Sequence, residues 1–183
     1  IDHLMFVLGL LLLVGGGARL LWTITAFTVG HSVTLGLVTL GLLSYPVSLV
    51  EFAIALSIFV LALDLVRSPQ VGSNQHLSLF KRHPWWLAGG FGLLHGMGFA
   101  GALADIGLPQ SNVPLALLFF NIGIEAGQIA FLLLLLAGWW LFKQALAMSA
   151  VTVNRARLVL IPVYLLGGLS AMWCIERGIA LVS

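Results

Sequence analysis

Six long and almost purely apolar stretches leave this chain very few ways to fold. They cover residues 1–14, 20–43, 47–66, 85–106, 113–142 and 158–175. A helix needs about 20 residues to cross a hydrocarbon layer about 30 Å thick. Only 8% of the 183 residues are charged, against about 25% in a soluble domain. The sequence therefore predicts an all-α, polytopic membrane protein, a compact bundle of about six transmembrane helices.

The first of these stretches is unusually short. Residues 1–14 would rise only about 21 Å at 1.5 Å per residue, too little to span. The chain opens on Ile1, Asp2 and His3 with neither an initiator Met nor a cleavage-site pattern. We therefore expect a first helix truncated at its N-terminus. No connection is long enough to separate domains, so residues 1–183 are expected to form a single transmembrane helical domain.

The basic residues are concentrated on one side of the predicted membrane. Seven of the eight flank the connections after the first, third and fifth stretches, and only Arg177 lies on the other side. The positive-inside rule places those connections in the cytoplasm and both termini outside. We expect a bacterial inner membrane protein. The basic residues form no stripe, so a nucleic-acid partner is not expected, and Cys174 alone provides no thiolate cluster.

Four ionisable residues lie at a similar depth within different apolar stretches. They are His3, His31, His95 and Glu125, each about 15 to 18 Å from a membrane face at 1.5 Å per residue. Ionisable groups inside a membrane are costly and usually functional. The common depth predicts a metal site at the midplane. Asp2 adjoins His3 and is predicted to be its helper or a second ligand.

Other polar residues around this level are candidates for supporting roles. Asn121 and Gln128 fall on the same helix face as Glu125, either as ligand support or as interhelical hydrogen-bonding groups. Ser32 adjoins His31. Glu51 begins the third helix, either as an acidic residue of the first turn or as an outer gate or ligand.

Glycines accompany two of the three intramembrane histidines. Gly30 precedes His31, and Gly92, Gly96 and Gly98 surround His95. Small residues at this spacing let helix backbones approach closely. We expect them to bring histidines from different helices towards one centre.

Imidazole and carboxylate ligands together favour Ni²⁺, Zn²⁺, Co²⁺ or Cu²⁺. A transporter could use such a site, because ligands from several helices can open to each side in turn. A metal-dependent intramembrane hydrolase or oxidoreductase could also use it, with Glu125 or Asp2 as general base. A haem protein with His31 and His95 as axial ligands is the weakest of the three hypotheses, since it gives Glu125 and Asp2 no role.

The connection between the third and fourth stretches is the longest polar segment. It contains His76 and His83. These side chains are predicted to be solvated, with the alternative that they pass metal to a cytoplasmic acceptor.

Five motifs resemble the HupE/UreJ family of hydrogenase and urease accessory membrane proteins. They are DHLMF (2–6), FTVGHSVTL (27–35), VE with ALS (50–51 and 55–57), GLLHGMGFA (92–100) and FNIGIEAGQ (120–128). The resemblance implies a nickel permease. It is strongest to the branch with an N-terminal extracytoplasmic region, which would lie upstream of this chain. The other branch has an additional His upstream in its first-helix motif, in a region absent here.

Overall fold

The computed structural model is built from helices alone in the parts of the chain that it describes. These parts are residues 1–67, 82–106, 112–148 and 155–182. The six helices in them are α1 (Asp2–Val14), α2 (Ala18–Thr39), α3 (Val47–Arg67), α4 (Pro84–Ile106), α5 (Val113–Met148) and α6 (Arg155–Val182). The predicted all-α bundle is confirmed.

Several of these helices fit a lipid bilayer. Among the described residues, four are long and apolar enough to cross a membrane: α2, α3, α5 and the Leu160–Val182 part of α6. The chain is therefore an integral membrane protein. Helix α1 has only 13 residues, in agreement with the short first stretch in the sequence.

The end of α2 differs from the sequence-based expectation. It stops at Thr39, whereas the apolar stretch continues to residue 43. Gly41 has a φ of 72°, a left-handed conformation that glycine adopts without steric cost. The Leu42 N–H donates to the Leu37 carbonyl at 2.9 Å, as in a Schellman helix end. Hydropathy alone does not detect this backbone turn.

The last two helices are longer than the apolar stretches predict. Helix α5 extends to Met148 instead of residue 142, and α6 covers Arg155–Val182 instead of residues 158–175. Hydropathy detects only the part of a helix that matches the hydrocarbon layer. Backbone hydrogen bonding can continue past that layer, so the structural ends lie further out.

The main hydrophobic core lies around the short α1. Phe6 and Val7 are fully buried there, together with Phe27 of α2, Ile58 of α3 and Leu166 of α6. Helix α1 is therefore surrounded by its neighbours, although it is too short to span. This position brings its first turn, which carries His3, to the middle of the bundle.

Helices α2 and α4 pack especially closely because glycine lies at their contact. A Cβ atom on Gly92 would lie 2.1 Å from the Phe27 carbonyl oxygen, and one on Gly96 would lie 2.2 Å from the His31 carbonyl oxygen. Neither position has room for any larger residue. This contact holds His31 and His95 on facing helices, as the glycine spacing predicted.

Candidate metal site

Three histidines from three helices meet inside the bundle. The His3 ring centroid lies 4.9 Å from that of His31 and 5.0 Å from that of His95. His31 and His95 are 0% exposed. Helices α1, α2 and α4 each supply one of these side chains, which we call the histidine cluster.

The ring orientation of His31 is set by Asn121 of α5. The Asn121 Nδ2 group donates to the Leu117 carbonyl at 2.8 Å, which turns its Oδ1 towards His31. His31 Nδ1 lies 3.1 Å from that oxygen. Because an amide oxygen can only accept, Nδ1 carries the proton and Nε2 has a free lone pair.

The ring of His95 is oriented in the same way by Ser57 of α3. The Ser57 hydroxyl donates to the Ile54 carbonyl at 2.7 Å. Its single proton is then in use, so it accepts from His95 Nε2 at 3.2 Å. The lone pair of His95 is consequently on Nδ1.

The nitrogens opposite these anchors have no hydrogen-bond partner. His31 Nε2, His95 Nδ1 and His3 Nε2 are all buried and unpaired. Buried polar atoms normally find partners, and three unpaired imidazole nitrogens in one cluster are an exception that calls for an explanation. A neutral imidazole held through its second nitrogen is the usual form of a histidine metal ligand.

Aromatic rings enclose the histidine cluster. Phe27 lies 5.5 Å from His3 and 5.1 Å from His95, and Phe99 lies 5.4 Å from His3, between ring centroids. Phe6 lies 5.2 Å from His95. These rings give the histidine cluster a largely apolar surrounding.

The cluster does not have the geometry of a closed metal site. In the described ranges, no group of three or more His, Cys, Asp or Glu side chains is already arranged to hold a metal ion. The ring of His3 stands nearly perpendicular to those of His31 and His95, at 78° and 88°. The rings are thus packed edge to face, and binding an ion would require side-chain rotation.

Glu125 is directed away from the histidine cluster. Its Oε1 accepts a hydrogen bond of 2.7 Å from Thr25, and Thr25 lies six residues before His31 on α2. The residue of α5 at the level of the histidines is Asn121, one helical turn earlier. Glu125 therefore lies about 6 Å further along α5 than the depth at which the histidines meet.

Three polar pairs connect α2 to α5 at successive levels. His31 pairs with Asn121, Thr28 donates to Gln128 at 3.3 Å, and Thr25 donates to Glu125. We call these three pairs the polar ladder. It runs from the histidine cluster towards the end of α2 that carries Arg19. Both side chains of its middle pair are buried, and the Gln128 Nε2 group has no partner.

Asp2 is likewise paired with a group outside the cluster. Its Oδ2 accepts from Arg177 Nη2 of α6 at 2.7 Å. The Nη1 group of Arg177 donates to the Glu51 carbonyl at 3.0 Å. These residues line a cavity of about 110 Å³ that also reaches His3 and His95, room for roughly three or four waters. The loop charges predict that this end lies outside the cytoplasm, so we call Asp2, Arg177 and Glu51 the outer mouth.

Tyr45 links the connection between α2 and α3 to α4 beside the outer mouth. Its hydroxyl donates to the Met97 carbonyl of α4. Burial and the neighbouring Glu51 carboxylate both raise the pKa of Tyr45 above its usual value. The hydroxyl consequently keeps its proton at neutral pH and remains a donor.

The remaining predicted residues lie apart from the histidine cluster. The Ser32 hydroxyl donates to the Thr28 carbonyl of its own helix at 2.7 Å, which satisfies it locally. His83 is exposed at the start of α4, next to Trp85. His76 lies outside the described residues.

Four participants are not identified by sequence reasoning. Ser57 lies ten residues into an apolar helix, and a serine at that depth is a usable signal. Thr25 and Thr28 recur at three-residue spacing before His31, which places them near one face of α2. Nothing local indicated that Arg177, interpreted only as a loop charge, pairs with Asp2.

Comparison with known proteins identifies the family. The model of the HupE / UreJ protein family matches residues 1–177, almost the whole chain. Neither a curated relative nor a solved structure matches. The match agrees with the motifs quoted above, and this family is associated with nickel and cobalt transport. The chain therefore belongs to the HupE/UreJ family of accessory membrane proteins.

Proposed function

We propose that the protein is a permease for a divalent transition metal, nickel first, and that the histidine cluster is its binding site. The observation that carries this proposal is the set of three unpaired imidazole nitrogens, two of them fixed in the metal-binding tautomer by Asn121 and Ser57. Imidazole ligands suit Ni²⁺, Co²⁺, Zn²⁺ and Cu²⁺. Family membership favours nickel or cobalt among these.

The outer mouth is the proposed route to the cluster. Its cavity is lined by Asp2 and Glu51 as well as by His3 and His95, so carboxylates precede imidazoles on the way inward. The Arg177 guanidinium now occupies the position of a cation at Asp2. An incoming metal ion would displace it, and Asp2 would then be free to act as a transient ligand.

The polar ladder is the proposed route from the cluster to the other side. Thr28 with Gln128 and Thr25 with Glu125 offer oxygen atoms at successive levels of α2 and α5. Oxygen ligands bind nickel more weakly than imidazole does. A site of three histidines alone would release nickel slowly. Weaker oxygen ligands next to it would allow the ion to leave faster.

Orientation follows from charge. We place the outer mouth and both termini outside the cytoplasm, because the basic residues gather at the other end of the helices. With Cys174 replaced by serine, a Cys at the exposed Ser44 should react with an impermeant maleimide in intact cells. A Cys at the exposed Gly16 should react only after permeabilisation. The opposite labelling pattern would show that the protein has the reverse orientation, and the proposed direction of transport would then be wrong.

Glu125 provides a test that separates transport from binding. In Glu125→Gln the Thr25 hydrogen bond is kept and only the charge is lost. We expect nickel binding to persist while uptake into proteoliposomes falls by about tenfold or more, equivalent to a barrier increase of about 1.4 kcal/mol. Glu176→Gln, the same change at an exposed carboxylate of α6 that is not part of the proposed route, is the matched control and should retain the uptake.

Two results would count against this assignment. If Glu125→Gln also abolished nickel binding, the carboxylate would belong to the binding site itself. If the unaltered protein held nickel tightly and gave no flux under any gradient, a metal-dependent intramembrane enzyme would become the better hypothesis.

A further inference from the structure

A groove that meets the proposed metal route only at Thr25 lies along the contact between α2 and α4. It has a volume of about 1030 Å³. Gly30 of α2 lies beside Gly89 of α4, and Thr34 donates to the Leu93 carbonyl at 2.7 Å. Both contacts join residues 59 apart, so the two helices run parallel to each other.

The groove exists because its floor has almost no side chains. Ala26, Gly30, Gly89 and Gly90 all line it. A Cβ atom on Gly90 would meet nothing within 4 Å. Gly30 is needed for close packing, but nothing in the described structure fills the space next to Gly90.

One end of this groove is positively charged. Arg19, in the first turn of α2, and Arg82, two residues before α4 begins, both line it. The described lining contains no carboxylate. Trp22 and Trp86, which are 72% and 68% exposed, stand at the same end. Tryptophan typically marks the level of lipid headgroups. Basic residues at that level attract anionic lipids.

We propose that this groove is a binding site for one anionic glycerophospholipid. Its phosphate would lie between Arg19 and Arg82, where the indole N–H of Trp22 or Trp86 can also donate. An acyl chain would then follow the apolar groove past Gly90 towards Leu93. The basic end of the groove selects the anionic headgroup, and the glycines along the groove leave room for the acyl chain.

The groove can be filled without disturbing the bundle. Gly90→Leu places a side chain in open space, so it should keep the fold while blocking the acyl chain. Gly138→Leu on α5 is the matched control, because Gly138 also has nothing within 4 Å and lies outside the groove. Both changes replace a helical glycine and gain helix propensity. A third variant, Arg19→Gln with Arg82→Gln, removes only the charge.

Lipid retention measures the proposal directly. Protein from micelles with equal phosphatidylglycerol and phosphatidylcholine is analysed by native mass spectrometry. We expect one retained lipid and a preference for phosphatidylglycerol of roughly thirtyfold, as two basic side chains near an anionic surface would give. Gly138→Leu should keep this preference. Gly90→Leu should lose the retained lipid, and the double Arg variant should retain it without preference.

Other outcomes would overturn the lipid site. Equal retention of the two lipids by the unaltered protein would show that the basic end does not select an anionic headgroup. Unchanged retention in Gly90→Leu would show that the lipid does not bind in this groove. If Gly90→Leu instead converted a dimer to monomers while lipid preference stayed the same, the groove would be a subunit interface.

Discussion

Replacing both His31 and His95 with alanine is expected to remove most of the nickel bound by the purified protein. These side chains supply two of the three unpaired nitrogens in the histidine cluster, and each neutral imidazole is a strong ligand for nickel. Binding measured by calorimetry or metal analysis should fall from about one ion per chain to almost none. His83→Ala, which alters an exposed histidine outside the cluster, should bind as the unaltered protein does.

The double variant leaves a cavity in a packed region and could misfold, so a smaller change provides a second test. Ser57→Ala removes the group that orients His95 and leaves all three imidazoles in place. Loss of such a partner typically lowers metal affinity 10- to 100-fold, and we expect a decrease in that range. Full nickel stoichiometry in the folded double variant would place the site elsewhere.

Replacing Arg177 with glutamine is expected to make nickel bind faster. In the outer mouth the guanidinium bonds to Asp2 and to the Glu51 carbonyl, at the cavity that reaches His3 and His95. A fixed positive charge there repels a divalent cation, and removing it also frees the Asp2 carboxylate. Charge placement at a binding cleft changes association rates by factors of about 10 to 1000, and we expect roughly a tenfold increase.

The direction of this effect separates two roles for the ion pair. If Arg177 only clamped α6 to α1, its loss would loosen His3 and slow or weaken binding. Arg177→Lys retains the charge and is expected to bind nickel at close to the original rate. Stopped-flow measurement of nickel binding for these variants gives the comparison. A slower rate in Arg177→Gln would contradict the proposal that incoming nickel displaces Arg177 from Asp2.

The depth of each residue in the membrane and the spacing of the glycines predict that His3, His31 and His95 meet. His31 and His95 are each next to glycines that hold α2 against α4, and this signal is local in the sequence. His3 was placed at the same level by counting from the inner end of its short helix. Both arguments depend on helix geometry alone, which the sequence specifies well in a membrane protein.

Partners contributed by distant helices could not be predicted in this way. Helix α5 has 36 residues, so the depth predicted for Glu125 depends on which part of the helix crosses the membrane. A shift of one helical turn places Asn121, instead of Glu125, at the level of the histidines. Asp2 and Arg177 are 175 residues apart in sequence. Their pairing depends on how α1 and α6 pack, which neither hydropathy nor residue spacing reports.

The coordination of bound nickel is the most direct test of the histidine cluster as the metal site. X-ray absorption at the nickel edge, recorded on protein loaded with one equivalent, reports the number of imidazoles around the ion. We predict three imidazole ligands in the unaltered protein. A shell of oxygen ligands with no imidazole in the unaltered protein would contradict the account.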